Sequence, residues 1–399
     1  MPVTMPETVA RGGRRRRWGW RAGALLLAAL VALLAAGCGA RGGGSGTPAG
    51  SGRAGTSEEG ARLPVVVTFY PLEYMARTIG GDRVAVTALI PPGADAHHWE
   101  PRPADVRAVA AARVFIYNGA GLEPWVPRLL AAAGRSDRIE VEASAGLPLV
   151  PAGTATRVLA SADEGTADGA VPTVGRGAVA APPGSPDAGE VAPPPAAEGS
   201  ADPEAGHGDH GHGDPGTSGG GASGVPPDPH VWLDPALAAR QARTIADALA
   251  QADPRGRAIY LQRGEELAHR LEELAADYRQ LARCRRRELV VTHAFLTYPA
   301  HRYGLVQIPI YGLTEEREPG PRQLAAVAAF VRERDLPYIV VEPGAAGAAA
   351  TLARETGTRL LEVHPLETLT AADRQAGRDF VSLLEQNLER LRRALGCGG

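Results

Sequence analysis

The chain has 399 residues, enough for two domains of ordinary size, and 44% of them are hydrophobic, as in a globular protein. Its 50 glycines and 34 prolines are too many for every segment to pack into a core. All basic residues other than histidine are arginine, so the chain has no lysine for a P-loop, a Schiff base or a kinase-type ATP site. Most motor and phosphoryl-transfer functions are therefore excluded.

Residues 1–37 have the pattern of an export signal. Arginines at positions 14–17 and 21 precede an apolar run, residues 24–36, that is too short to span a bilayer. The small residues ending at Cys38 resemble a bacterial lipobox, which implies that Cys38 is lipidated and becomes the mature N-terminus. The alternative is an ordinary signal peptide with an incidental cysteine. Residues 38–61, rich in Gly and Ser, are predicted to form a flexible tether.

The formal net charge of −3 includes this arginine-rich segment, so the exported body is more acidic. An acidic exported protein is unsuited to nucleic acid and suited to the handling of cations. Two further cysteines, Cys284 and Cys397, could pair outside the cell, but the sequence does not fix the distance between them.

Residues 62–149 alternate short β-rich runs with helical stretches, which predicts parallel βαβ units and an N-terminal α/β lobe. The predicted strands are 65–68, 84–90 and 114–117, and the predicted helices are 71–79, 103–112 and 123–133.

Residues 150–227 interrupt this pattern. The segment consists mainly of Ala, Gly, Pro, Ser and Asp, and it has few large apolar residues and no periodicity. Such a segment buries too little surface to offset its ordering entropy, so most of it is predicted to be disordered. It contains His207, His210 and His212 among glycines and aspartates.

Order is predicted to return in residues 228–284, with helices at 235–252 and 255–283, and to continue in a C-terminal α/β lobe, residues 285–399. The fold class is therefore α/β, with two Rossmann-like lobes of parallel strands joined by a long backbone helix. In the second lobe, strands are predicted at 288–291, 306–310, 338–341 and 359–363, and helices at 299–303, 321–334, 346–356 and 372–395.

Four histidines occupy matching positions in this fold. His97, His293 and His364 each follow a predicted strand, and ligands of open parallel sheets bind outside the carboxyl ends of strands. His230 precedes the helix that begins at residue 235. Each alone would be an ordinary polar loop residue, but four together predict a tetrahedral metal site in the cleft between the lobes.

Four segments carry a resemblance to the substrate-binding lipoproteins of zinc and manganese ABC importers. The resemblance runs from about residue 63 to residue 395, apart from the insertion, and DPHVWLDP is its most specific motif. The segments are PPGADAHHWEPRPADVRAVAAARVFIYNGAGLEPW (91–125), DPHVWLDP (228–235), THAFLTYPAHRYGL (292–305) and TGTRLLEVHPL (356–366).

The resemblance places His97, His230 and His293 on the family's ligand positions. At the fourth position the family often has Asp before Pro-Leu, where this chain has His364. Three alternatives remain open there: His364 binds directly, which we favour; a water or a carboxylate such as Glu100 completes the shell; or His98 competes with its neighbour.

A shell of histidines favours zinc over manganese, because manganese binders of the family tend to have carboxylates at the third and fourth positions. Neutral ligands leave the ion's charge uncompensated, so nearby carboxylates are expected to orient and neutralise the shell. The candidates are Glu100, Asp234 and Glu342, although each could equally be a helix cap or a surface charge. His269 and His301 are expected to be solvated or structural.

The resemblance implies a lipid-anchored extracytoplasmic receptor, expected to be a monomer, that captures Zn²⁺ and passes it to a separate permease and ATPase. It implies that the protein is not an enzyme. A manganese receptor of the same family is the first alternative. A secreted zinc hydrolase would need an open coordination position and a general base, and the chain has no His-Glu-x-x-His. A storage or adhesive lipoprotein is the third alternative.

His207, His210 and His212 lack a rigid frame and are predicted to collect zinc weakly.

Overall fold

Two four-stranded parallel sheets organise the chain in a computed structural model that describes residues 62–135, 137–159, 224–311 and 318–397. The predicted signal and tether, Cys38 and the three histidines of the insertion lie outside these residues. The two-lobed α/β fold is confirmed. The described helices include none that combines the length and the apolar character of a membrane span.

The first sheet has the strand order β2-β1-β3-β4. Its β-branched residues, such as Val65 and Val67, are buried beneath helices on the sheet faces, as expected for parallel strands. The edge strand β4 was not predicted, because its sequence, IEVE, alternates charged with apolar residues and has no long apolar run. The elements of this lobe are β1 (Leu63–Val67), α1 (Tyr70–Gly80), β2 (Val84–Ala88), α2 (Pro103–Ala111), β3 (Val114–Tyr117), α3 (Val126–Ala133) and β4 (Ile139–Glu142).

Two long helices, α4 (Pro235–Ala252) and α5 (Arg257–Tyr278), connect the lobes. Asp234 caps α4 by accepting a hydrogen bond from Ala236 N, and Pro235 occupies the first turn. The helices approach closely at Gly264, where an added Cβ would lie 2.4 Å from the Cβ of Ala246. The long backbone helix was predicted to reach residue 283, and its last five residues form a 3-10 turn instead.

The second sheet has the strand order β6-β5-β7-β8. The single C-terminal helix predicted at 372–395 is wrong, because the chain breaks into two helices at Gly377, which has a φ of +65°. Asp379 then caps the final helix by accepting from Ser382 N at 2.8 Å. The elements are β5 (Glu288–Val291), α6 (Thr297–Tyr303), β6 (Val306–Pro309), α7 (Pro321–Glu333), β7 (Tyr338–Val341), α8 (Gly347–Thr356), β8 (Arg359–Glu362), α9 (Ala371–Gln375) and α10 (Phe380–Leu395).

The first residues of the predicted insertion are ordered and pair with the second lobe. Gln307 N on β6 donates to Ala155 O, and Arg157 N donates to Gln307 O, each at 2.8 Å. Pro151 also forms an isolated bridge with Pro227, where the chain returns. Backbone pairing thus holds the described start of the insertion against the second lobe, although this segment has little apolar surface of its own.

Cys284 and Cys397 form a disulfide across 113 residues of sequence. Cys284 precedes β5 and Cys397 follows α10, so the bond encloses the C-terminal lobe. It lies toward the amino end of β5, whereas His293 follows the carboxyl end of that strand.

We expect replacement of both Cys284 and Cys397 by serine to lower the free energy of unfolding by about 2–5 kcal/mol, because the unfolded chain regains the entropy of a long closed loop. Urea unfolding of the wild-type and double-serine proteins measures this. Metal affinity of the folded variant serves as the control and should stay unchanged. An unchanged unfolding midpoint would contradict the prediction.

Candidate metal centre

Three histidines from distant parts of the chain converge between the lobes. His97, His230 and His293 each offer one ring nitrogen, and these atoms all lie within 4.8 Å of one another. His97 belongs to the loop after β2, His230 to the turn before α4, and His293 to the loop after β5. His230 and His293 are buried, whereas the side chain of His97 is 34% exposed. Three imidazole nitrogens at this spacing can hold one metal ion.

The loop that carries His230 is held from both lobes. Asp228 Oδ1 accepts from the backbone N of His230 and contacts its Nδ1, both at 3.0 Å. Tyr298 of the second lobe donates to Asp228 O at 2.7 Å, and Asn118 of the first lobe donates to Pro229 O at 3.0 Å. The Nε2 atom of His230 is buried, has no hydrogen-bond partner in the described part of the chain, and faces the other histidines.

Glu342 orients His293. Its Oε1 lies 2.6 Å from His293 Nδ1 and also accepts a hydrogen bond from Thr292 Oγ1 at 2.8 Å. Glu342 follows β7, the strand beside β5, so the two residues leave the sheet at its topological switch point. A carboxylate on Nδ1 fixes the tautomer whose Nε2 binds metal, the role expected for Glu342.

Glu367, which the sequence analysis did not identify, places a carboxylate oxygen beside two of the three histidines. Its Oε1 lies 3.3 Å from His97 Nε2 and 3.7 Å from His230 Nε2, and its side chain is only 12% exposed. The residue follows β8 in the segment that carries His364, so the same position relative to a strand could have indicated it.

The electrostatics of the group are strongly coupled. Burial by itself raises the pKa of Glu367, but contacts with His230 and His97 hold that pKa well below its ordinary value. Burial by itself lowers the pKa of His230, but Asp228 and Glu367 outweigh it and raise the pKa to about 9. Without a bound cation, a proton on His230 balances the buried carboxylates; a metal ion would take over that charge.

The structure does not bring His364, the favoured fourth ligand, into the group of three histidines. Both of its ring nitrogens are engaged elsewhere: Nδ1 accepts from Leu366 N at 2.8 Å, and Nε2 lies 3.2 Å from Asp373 Oδ2.

Two predicted supporting carboxylates also lie elsewhere in the described structure. Glu100 is 73% exposed and pairs with Arg128 at 3.9 Å. Asp234 caps α4 and forms an ion pair with Arg302. His98 turns toward Asp95 rather than toward the three histidines, with 2.6 Å between Nδ1 and Oδ2. These three residues are close in sequence to His97 or His230, but their side chains are not among those that converge on the metal centre.

The chain matches one protein family over most of its length. Residues 65–394 match the ZnuA family, described as the periplasmic component A of the zinc-uptake complex. The chain belongs to this family. Its relatives are named as zinc-uptake and zinc-binding proteins rather than as enzymes.

Two curated relatives and one solved structure show the extent of the similarity. The chain is 29% identical to the high-affinity zinc uptake system protein ZnuA of Bacillus subtilis, over 86% of this chain and 91% of the relative. It is 27% identical to the zinc-binding lipoprotein AdcA of Streptococcus pneumoniae, over 92% of this chain but only 60% of the relative. The Zn(II)-bound ZnuA-like domain of AdcA superposes with a TM-score of 0.61 and 25% identity, over 84% of this chain and 99% of that domain.

We expect Glu342→Ala to weaken metal binding by about 10- to 100-fold, because His293 loses the carboxylate that fixes its tautomer and orientation. Competitive titration with a chromogenic chelator measures the change. Glu100→Ala is the matched control and should leave the affinity unchanged, since Glu100 is exposed and pairs with Arg128. Equal losses in the two variants would argue against the role of Glu342.

We also expect metal binding at pH 7 to release roughly one proton from His230, because its raised pKa keeps the ring protonated until a metal displaces the proton. The release should decline, and the apparent affinity should rise, as the pH increases through about 9. Calorimetry in buffers of different ionisation enthalpy counts the protons. A count that stays constant between pH 7 and pH 10 would contradict the raised pKa.

Proposed function

We propose that this protein is an extracytoplasmic, lipid-anchored solute-binding protein that captures Zn²⁺ and delivers it to an ABC-type importer. The observation that carries the proposal is the convergence of three histidine nitrogens within 4.8 Å between two lobes. Membership of a zinc-uptake family and the names of the relatives support zinc as the ion.

The proposed ligands are His97, His230, His293 and Glu367. Three imidazole nitrogens and one carboxylate oxygen suit the tetrahedral coordination of zinc. A nitrogen-rich set favours zinc over manganese, which prefers oxygen donors. Three neutral imidazoles and one carboxylate leave a single positive charge on the bound ion. Asp228 and Glu342 lie behind two of the histidines, and their negative charge more than offsets it.

The arrangement suits capture and release better than hydrolysis. A hydrolase needs an open coordination position and a free general base. Glu367 faces His97 and His230, and Glu342 is engaged by His293, so neither carboxylate is available as a base. His97 is the exposed ligand, and we propose that the ion enters and leaves on its side of the cleft.

The remaining parts of the proposal concern segments outside the described residues. Cys38 carries the lipid, and residues 38–61 tether the body to the membrane. His207, His210 and His212 collect zinc weakly, from a segment that ends shortly before His230. The permease and the ATPase are separate chains, and the receptor acts as a monomer. The name of AdcA as a lipoprotein supports the anchor.

Metal titration of the exported body tests the proposal. We expect one tight zinc site that Mn²⁺ displaces poorly, and we expect substitution of His97, His230 and His293 by alanine together to abolish it. Deletion of residues 204–214 is the matched variant and should remove only weak, additional zinc. Tight one-to-one zinc binding by the triple variant would overturn the site, and its loss in the deletion variant would overturn the role of the collecting segment.

A further inference from the structure

The turn that presents Glu367 contains an unusual backbone conformation. Leu366, the residue before Glu367, has a φ of +65° and is fully buried. A branched, bulky residue rarely adopts this left-handed region, because its side chain crowds the backbone. The surroundings must therefore stabilise the turn, and Leu366 is the place where the direction of the chain toward the metal centre is set.

His364 supplies the hydrogen bond that closes this turn. Its Nδ1 accepts from Leu366 N at 2.8 Å. Its Nε2 lies 3.2 Å from Asp373 Oδ2, so the proton sits on Nε2 and Nδ1 stays an acceptor. The imidazole thus ties the turn to the start of α9.

The backbone around His364 is held as firmly as its ring. Asn387 on α10 accepts from His364 N at 2.8 Å and donates to His364 O at 2.7 Å. Trp232 Nε1 donates to Pro365 O at 2.8 Å. Since Trp232 lies two residues after His230, the turn is linked to the loop that carries a proposed ligand.

We propose that His364 is a positioning residue: it enforces the left-handed turn at Leu366 and thereby aims Glu367 at His97 and His230. It acts through the backbone and does not bind the ion. The inference rests on the proposed zinc function and adds to it the residue that places the carboxylate ligand.

Two substitutions separate the two hydrogen bonds of the ring. In His364→Asn the amide oxygen takes the place of Nδ1 and can still accept from Leu366 N. In His364→Gln the amide nitrogen takes the place of Nε2 and can still donate to Asp373, but the acceptor for Leu366 is lost. We expect zinc affinity to stay within about threefold in the first variant and to fall about 10- to 100-fold in the second.

A double-mutant cycle with Glu367→Gln distinguishes positioning from a general structural effect. If His364 acts through Glu367, then His364→Gln combined with Glu367→Gln binds zinc no more weakly than Glu367→Gln alone. X-ray absorption of zinc-loaded His364→Gln should show the same ligand shell as zinc-loaded Glu367→Gln. Urea unfolding without metal controls for loss of the fold.

The outcomes separate this inference from the proposed function. Equal losses in the asparagine and glutamine variants, or additive losses in the cycle, would overturn the positioning role while leaving zinc binding intact. A zinc shell that loses a histidine in His364→Gln would show that His364 is itself a ligand. If Glu367→Gln and the triple histidine variant, each tested separately, both kept tight zinc binding, the proposed centre itself would be overturned.

Discussion

The burial of charge is the constraint on which this structure depends. Asp228 and Glu367 are carboxylates withdrawn from water among three histidines, and a buried carboxylate without a cation or a hydrogen-bond donor is strongly unfavourable. The attraction between the charged forms of His230 and Glu367 contributes both to the raised pKa of His230 and to the lowered pKa of Glu367. We therefore expect a divalent cation to satisfy this group better than one proton does.

Such a group can exist only in a frame that keeps its members in place. The loop of Asp228 and His230 receives hydrogen bonds from Tyr298 in one lobe and Asn118 in the other. Asn118 and its neighbour are held in turn by Glu123, which accepts from Asn118 N, Gly119 N and Thr68 Oγ1. Burial raises the pKa of Glu123 to about 7, although these three donors lower it. Buried hydrogen bonds of Glu123, away from the three histidines, thus help to keep the loop of His230 in one conformation.

Two connections hold the lobes together. The helices α4 and α5 pack closely at Gly264, and the strand-like segment near Ala155 crosses from the first lobe to pair with β6. We expect both connections to resist a relative rotation of the lobes. We therefore expect metal loading to order local loops such as that of His97, rather than to close a wide hinge.

The sequence by itself determined the fold class, most strands and helices, and three of the proposed ligands. Strands such as Glu288–Val291 and Tyr338–Val341 were predictable because buried parallel strands are short, continuous apolar runs bounded by turn residues. His97 and His293 were predictable because chain topology places the carboxyl ends of strands at one edge of a sheet. His230 was predictable from the DPHVWLDP motif, which resembles a ligand region of the family. Glu342 was one of three candidate carboxylates in the sequence, and the structure places it beside His293, whereas Glu100 and Asp234 lie elsewhere.

Only the tertiary structure decided which side chains meet. His364 and Glu367 lie three residues apart after the same strand, and the left-handed turn at Leu366 directs Glu367 to the centre while His364 faces Asp373. The pairing of Cys284 with Cys397 likewise depended on how α10 packs beside β5. Local patterns encode where an element begins and which face it buries. The direction of a loop side chain depends on hydrogen bonds to residues distant in sequence. No local sequence pattern contains this information.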